Sequence, residues 1–312
     1  MTCPICNKET RVEDLEKRSE FKLIHCLDCD VIFSDPMKTP GAEWYEDSPT
    51  YTMGRLTSSN ELSWHHEQFI NKNKNKPGTV LDVGCGSGSF IYVIKKYGFD
   101  VYGIDFDKYN IESAKTKFGL DKVYVSTVED FRKINTNKKF DYITVFEVIE
   151  HVENPSHFLQ QLKPLLKPDG IIAMSMPNRD RWIDFLGDND YPPHHMTKWN
   201  EKSVSNYVEI NSMRKECLKL KKLDECDIAG LLRLKLKFNI VKNMVSDANK
   251  NKRSESGQNF ESVMNKAKFL HNIREMFFGT VEVFLKYLIL PINIIGILDN
   301  KSVGLYCEAK LK

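Results

Sequence analysis

A chain of 312 residues, 41% hydrophobic and 28% charged, has the composition of an ordinary globular protein with room for about two domains. A formal net charge of +2 argues against an extended nucleic-acid surface. The start, Met1-Thr2-Cys3-Pro4, has no apolar signal core, and four of the eight cysteines fall in close pairs, so a reducing, cytoplasmic setting with thiolate chemistry is expected.

The pairs come first. Cys3-Pro4-Ile5-Cys6 and Cys26-Leu27-Asp28-Cys29 are Cys-x-x-Cys knuckles, each able to turn two sulfurs toward one ion. Their separation predicts a zinc-ribbon-like module over residues 1–40, with Cys3, Cys6, Cys26 and Cys29 closing a structural zinc site. Chelation is expected to unfold this module and spare the rest. His25 is an alternative ligand but reads better as a surface residue. Acidic and basic side chains alternate between Lys8 and Lys22, which leaves no one-signed stripe for nucleic acid. Cys85, Cys217, Cys226 and Cys307 read as small core residues.

Residues 41–76 form a helical linker or cap, with a helix over 56–71 on which His65 and His66 read as surface residues. An α/β domain over 77–225 follows. Strands are expected at 79–84, 101–105, 123–127, 142–146, 171–176 and 217–223, with helices at 89–97, 109–118, 155–166 and 201–210. Lys167-Pro168-Asp169-Gly170 reads as a turn. Such alternation means a parallel sheet covered on both faces, with its ligand at the carboxyl edge where the strand order reverses. Residues 226–300 show helical apolar spacing and form an inserted helical pair before the last strand, at 301–312. Within it the apolar run over 281–298 is too short for the roughly twenty residues of a membrane span. Beside the basic residues upstream it has two readings, peripheral contact with a membrane surface or a packed helical cap, and the cap is favoured.

The strongest local pattern is Thr79-Val80-Leu81-Asp82-Val83-Gly84-Cys85-Gly86-Ser87-Gly88, a buried strand breaking into a glycine turn that opens a helix. The next strand ends in Asp105, the acid that takes ribose hydroxyls in a βαβ nucleotide site. Ser89 stands where a nicotinamide fingerprint wants Gly or Ala. With Asp82 before the turn, the line resembles the first motif of class I S-adenosylmethionine (SAM)-dependent methyltransferases. Phe140 to Pro155, with Glu147-Val148-Ile149-Glu150-His151, is similar to the fourth-strand segment of the ubiquinone-pathway O-methyltransferases. Pro192-Pro193-His194-His195-Met196 is similar to a subgroup found with glycan and small-molecule pathways, in which zinc-knuckle N-termini also occur.

This resemblance implies an α/β, Rossmann-like, doubly wound seven-stranded sheet that binds SAM. It places Gly84, Gly86 and Gly88 against the methionine part, Asp82 toward its ammonium, Asp105 on the ribose and Phe106 beside the adenine. Thr127 stands where family members often carry an acid, so the adenine contact passes to Glu129 or the Val128 amide. Glu147 is counted among the cofactor-binding residues, and with Glu150 and His151 it is also a candidate divalent-metal cluster by the same resemblance. For a hydroxyl acceptor a base is needed near neutral pH, and His194, His195 and His151 all follow strands at the edge where the methyl emerges. The favoured function is methyl transfer to a hydroxyl of a sugar, glycan or small metabolite. The alternatives are a non-catalytic SAM-fold and zinc scaffold, or a nucleic-acid methyltransferase.

Overall fold

The computed structural model describes residues 1–9, 11–40, 62–181, 186–222 and 302–312. The expected insertion at 226–300, its apolar run at 281–298, Cys226 and most of the 41–76 linker lie outside the described residues. Residues 1–221 and 303–312 form one compact unit and 222–302 a second.

The first unit opens with an antiparallel meander of β1 (Val12–Arg18), β2 (Phe21–Cys26) and β3 (Ile32–Asp35). Helix α1 (Trp64–Asn73) precedes β4 (Thr79–Val83), whose Val80, Leu81 and Val83 are all buried, as a strand covered on both faces requires. The chain then runs through α2 (Ser89–Lys95), β5 (Asp100–Asp105), α3 (Lys108–Phe118), β6 (Val123–Val125), α4 (Val128–Ile134), β7 (Phe140–Phe146) and α5 (Pro155–Leu162). It closes with β8 (Leu166–Pro177), β9 (Thr197–Lys198), α6 (Glu201–Ile210), β10 (Met213–Lys222) and β11 (Ser302–Leu311).

The large sheet has seven strands in the order β10-β11-β8-β7-β4-β5-β6, with β11 antiparallel to β8. From β4 the chain builds outward to β5 on one side and later to β7 on the other, both parallel to it, so the expected switch point lies at the end of β4. Local chemistry explains the boundaries. Asp107 caps α3 by accepting from the Tyr109 amide, and Gly119 ends that helix in the left-handed region at φ 61°. Asn154 caps α5 and Pro155 occupies its first turn.

Three departures from expectation have clear causes. Residues 167–170 belong to β8 rather than to a free turn: Leu166 pairs with Phe140 and Ile171 with Tyr142, so the Lys-Pro-Asp-Gly stretch is taken up as a bulge. Helix α4 begins where a strand was expected to end, because Thr127 accepts from the Asp130 amide and starts a helix. His65 and His66 are not surface residues: their rings lie 5.0 and 5.4 Å from Phe146, inside an aromatic cluster with Phe90.

The four-cysteine segment is stitched to the large sheet. Strand β3 pairs with β9, Ile32 with Lys198 and Phe33 with Thr197, residues far apart in the chain. Cys3, Ile5, Cys26, Val31 and Phe33 share one buried core with Leu81, Val145, Trp199 and Tyr207. The Ser156 hydroxyl donates to the Ile5 carbonyl at 2.5 Å, Asn206 donates to the Cys29 carbonyl at 3.1 Å, and Arg179 pairs with Asp30 at 3.0 Å.

Trp199 sits at this junction, fully buried, with its ring 5.0 Å from Tyr207 and its indole N–H donating to the Thr197 hydroxyl at 2.8 Å. Trp199→Ala should therefore cost about 3–5 kcal/mol of stability in urea unfolding. A loss below about 1 kcal/mol would mean that the junction is not packed as described.

Candidate active site and cysteine cluster

A cavity of about 460 Å³ lies over the carboxyl ends of β4, β5 and β7. Gly84, Asp105, Phe106, Val128, Glu129, Glu147 and His151 line it, while Asp82, Gly86, Gly88, His194 and His195 do not.

The floor is built by the glycine turn. Gly84 has φ 77°, and a Cβ there would lie 2.5 Å from a methyl carbon of Val148, so both backbone and space demand glycine. Gly86 has φ 52° and open space around it, so its requirement is conformational alone. Behind the turn, Asp82 is buried and accepts from the Thr144 hydroxyl at 2.5 Å. Burial pushes its carboxyl up to about 7 against the pull of that hydrogen bond, and nearby Asp105 adds to the push. Asp105 accepts from the Gly86 amide at 2.9 Å on one oxygen and from the Asp107 amide at 2.8 Å on the other. Burial raises its pKa and these two amides oppose the rise.

Opposite stands Glu147 at the end of β7, with φ 53°, an uncommon conformation for a non-glycine residue. The Ser175 hydroxyl donates to its carboxylate at 2.8 Å, and His65 lies 3.9 Å away. Glu147 keeps 43% of its side chain open to the cavity, yet desolvation by the surrounding protein pushes its pKa up to about 7. Glu150 is buried, and among the described residues neither of its carboxylate oxygens has a hydrogen-bond partner. Burial, then Glu147 and Asp190, hold its pKa well above the usual carboxylate range.

The three predicted histidines come together. His151 and His194 have ring centres 4.6 Å apart, His151 and His195 4.8 Å, and the His194 and His195 rings stack at 4.6 Å. Only His151 reaches the cavity; burial, then the other two rings, push its pKa down to about 3. His194 is also lowered, by burial first. Behind them Asp190 accepts from His195 at 3.0 Å, Lys198 at 2.8 Å and Arg181 at 2.5 Å. Burial would raise the Asp190 pKa, but these donors together hold it well below the usual range. Asp190, Ser175 and His65 were not singled out from the sequence as site residues; their roles arise from contacts across the fold that no local pattern marks.

In the small sheet's segment, the sulfurs of Cys3, Cys6, Cys26 and Cys29 all lie within 4.8 Å of one another. Cys3 and Cys29 are 3.7 Å apart and Cys6 and Cys26 3.9 Å. A tetrahedral ion with 2.3 Å bonds to sulfur wants about 3.8 Å between ligands, so the cluster is compatible with zinc. The amides of Ile5 and Cys29 point at the sulfurs of Cys3 and Cys26, each at 3.4 Å. His25 instead pairs with Asp30 at 2.8 Å.

Comparison with known proteins agrees with this geometry. Residues 60–211 match the family described as a methyltransferase domain. A ubiquinone biosynthesis O-methyltransferase of Actinobacillus pleuropneumoniae is 33% identical over 152 residues, 46% of this chain and 64% of that protein. One from Haemophilus ducreyi is 42% identical over 107 residues, 32% of this chain and 45% of that protein. The chain thus spans less than two thirds of the length of these curated relatives. A SAM-dependent methyltransferase structure from Archaeoglobus fulgidus shares the fold with a TM-score of 0.50 at 16% identity, covering 84% of this chain and 100% of that one. Among the described residues no helix is long and apolar enough to cross a membrane.

Because the cysteine cluster shares its core with the large sheet, removing a zinc held there should lower the unfolding midpoint of the whole unit in one transition. The expectation of a separately unfolding ribbon is revised accordingly. Calorimetry with and without chelator tests this, and Cys3→Ser with Cys26→Ser should remove one equivalent of zinc. A separate low-temperature transition, or zinc content unchanged by the double substitution, would contradict it.

Proposed function

We propose that this chain, which carries a class I SAM-dependent methyltransferase domain, moves the methyl group of SAM to a hydroxyl of a sugar, glycan or small metabolite. The observation that carries the reading is Asp105. It lies on the cavity wall at the end of β5, pinned by two backbone amides, with lone pairs left for the two ribose hydroxyls. Phe106, Val128 and Glu129 line the same wall and suit the adenine, while Gly84 leaves room for the methionyl part. Asp82 is buried beneath the turn, where a methionyl ammonium would favour its ionised form. The relatives named as O-methyltransferases support oxygen as the acceptor atom.

The acceptor oxygen attacks the sulfonium methyl in line as the carbon–sulfur bond breaks, and S-adenosylhomocysteine leaves. Positioning the reactants about 3–3.5 Å apart supplies much of the acceleration. The hydroxyl proton needs a base on the cavity wall. His194 and His195 stand behind that wall, and burial leaves His151 a weak base. Glu147 is open to the cavity with its pKa raised to about 7, where a carboxylate is an effective acceptor of protons. The Ser175 hydroxyl holds it in place.

Transfer of labelled methyl from SAM, screened against sugars, glycans, quinone precursors and RNA, tests the reading. A scaffold would bind the cofactor without turnover on any acceptor, and transfer confined to RNA would favour the nucleic-acid reading. Asp105→Ala should weaken SAM binding by about 1.5–3 kcal/mol, the range for hydrogen bonds to a charged group. With a verified acceptor, kcat/KM should rise with pH through about 7 as Glu147 loses its proton. Glu147→Gln should lower turnover by about 10²–10⁴-fold and abolish that limb. An unchanged profile in this variant would remove Glu147 from the role.

A further inference from the structure

We propose that His151, His194 and His195 form a metal site, separate from the cysteine cluster, for a borderline divalent transition ion such as zinc, cobalt(II) or nickel(II). The nitrogens that the three rings offer all lie within 4.8 Å of one another. The partners of the rings determine where their protons sit. The His151 Nδ1 lies 2.8 Å from the His194 carbonyl, the His194 Nδ1 2.7 Å from the Asn189 carbonyl, and the His195 Nδ1 3.0 Å from the Asp190 carboxylate. A carbonyl or an ionised carboxylate only accepts, so each Nδ1 carries the proton and each Nε2 carries the lone pair. One ring nitrogen donating to an oxygen while the other faces an ion is the usual arrangement of metal-binding histidine.

Three ring nitrogens gathered at one place supply the donor set of a histidine metal site. Bonds of 2.0–2.1 Å to a tetrahedral ion want nitrogens about 3.3 Å apart, so rotations closing the group by about 1.5 Å at most complete the site. Carboxyl groups stand beside the trio, one of them, Asp190, already paired with Arg181 and Lys198. Asp190 stands behind His195, and Glu150, next in sequence to His151, is a buried carboxylate without a hydrogen-bond partner among the described residues. Imidazole ligands favour zinc, cobalt, nickel and copper over magnesium and calcium, which prefer oxygen. Three neutral ligands leave the ion its full charge and an open position, and His151 places that position beside the cavity that holds Glu147.

The test is metal stoichiometry on the full chain, which does not depend on turnover or on the acceptor. Protein brought to one equivalent of zinc, held by the four cysteines, is titrated with cobalt(II). One further equivalent should bind, with the visible bands of a nitrogen-ligated cobalt centre and no sulfur charge-transfer band. His194→Ala and His195→Ala should each lose that equivalent while keeping the cysteine-bound zinc. The size-preserving His194→Gln and His195→Gln variants, checked by circular dichroism, decide the matter if the alanine variants fail to fold. Absence of a second equivalent in the wild type, as when a water alone fills the space, overturns the proposal. So does cobalt binding that survives in the folded variants.

Discussion

Two backbone amides hold this site together. Gly86 and Asp107 each donate to one oxygen of Asp105, so a single carboxylate ties the glycine turn after β4 to the start of α3 after β5. The Ile104 carbonyl reinforces the tie by accepting from the amides of Gly84 and Cys85. The turn can come this close because Gly84 and Gly86 take backbone conformations that other residues resist. Position and charge of the cavity wall both follow from that clamp. A buried acid fixed on its amide-facing side presents its remaining acceptor capacity to the cavity, which is what a diol ligand needs.

Charge around the cavity is arranged to receive a cation. Asp82, Asp105, Glu147 and Glu150 all have pKa values raised by burial, which marks carboxyl groups short of solvent and of positive partners. A bound sulfonium would favour their ionised forms, and Glu147 is the one with an open path to an acceptor. Cofactor binding and activation of the base would then be linked, since each stabilises the charge of the other. Asp190 works in the opposite sense. It is ionised and surrounded by donors from Arg181, Lys198 and His195, and it holds His195 in place behind the wall.

The parts of this architecture written in local chemistry were legible from the sequence. Val80 to Val83 read as a buried strand, the glycines as the turn, Asp105 as the end of the next strand and the two Cys-x-x-Cys pairs as one cluster, because each depends on residues close together in the chain. What could not be read arises from distant contacts. The pairing of β3 with β9 brings a segment that follows β8 into the small sheet, and the two sheets share a core built from residues far apart in sequence, so the cysteine segment looked separate when its core is shared. His65 and His66 carry polar side chains on a helix of mixed character, and only the packing of Phe90 and Phe146 around them shows that they are interior. His194 and His195 were visible as a pair in a stiff loop. That they gather with His151 rather than line the cavity goes with contacts to the Asn189 carbonyl and the Asp190 carboxylate, which no spacing rule conveys.

A crystal structure of the full chain grown with S-adenosylhomocysteine tests the central claim, that the cavity at the ends of β4, β5 and β7 is the cofactor site. The account places the ribose hydroxyls on Asp105, the adenine between Phe106 and the Val128–Glu129 segment, and the sulfur facing Glu147. Ligand density elsewhere on the chain, or a cavity still empty with the compound well above any reasonable dissociation constant, would contradict it.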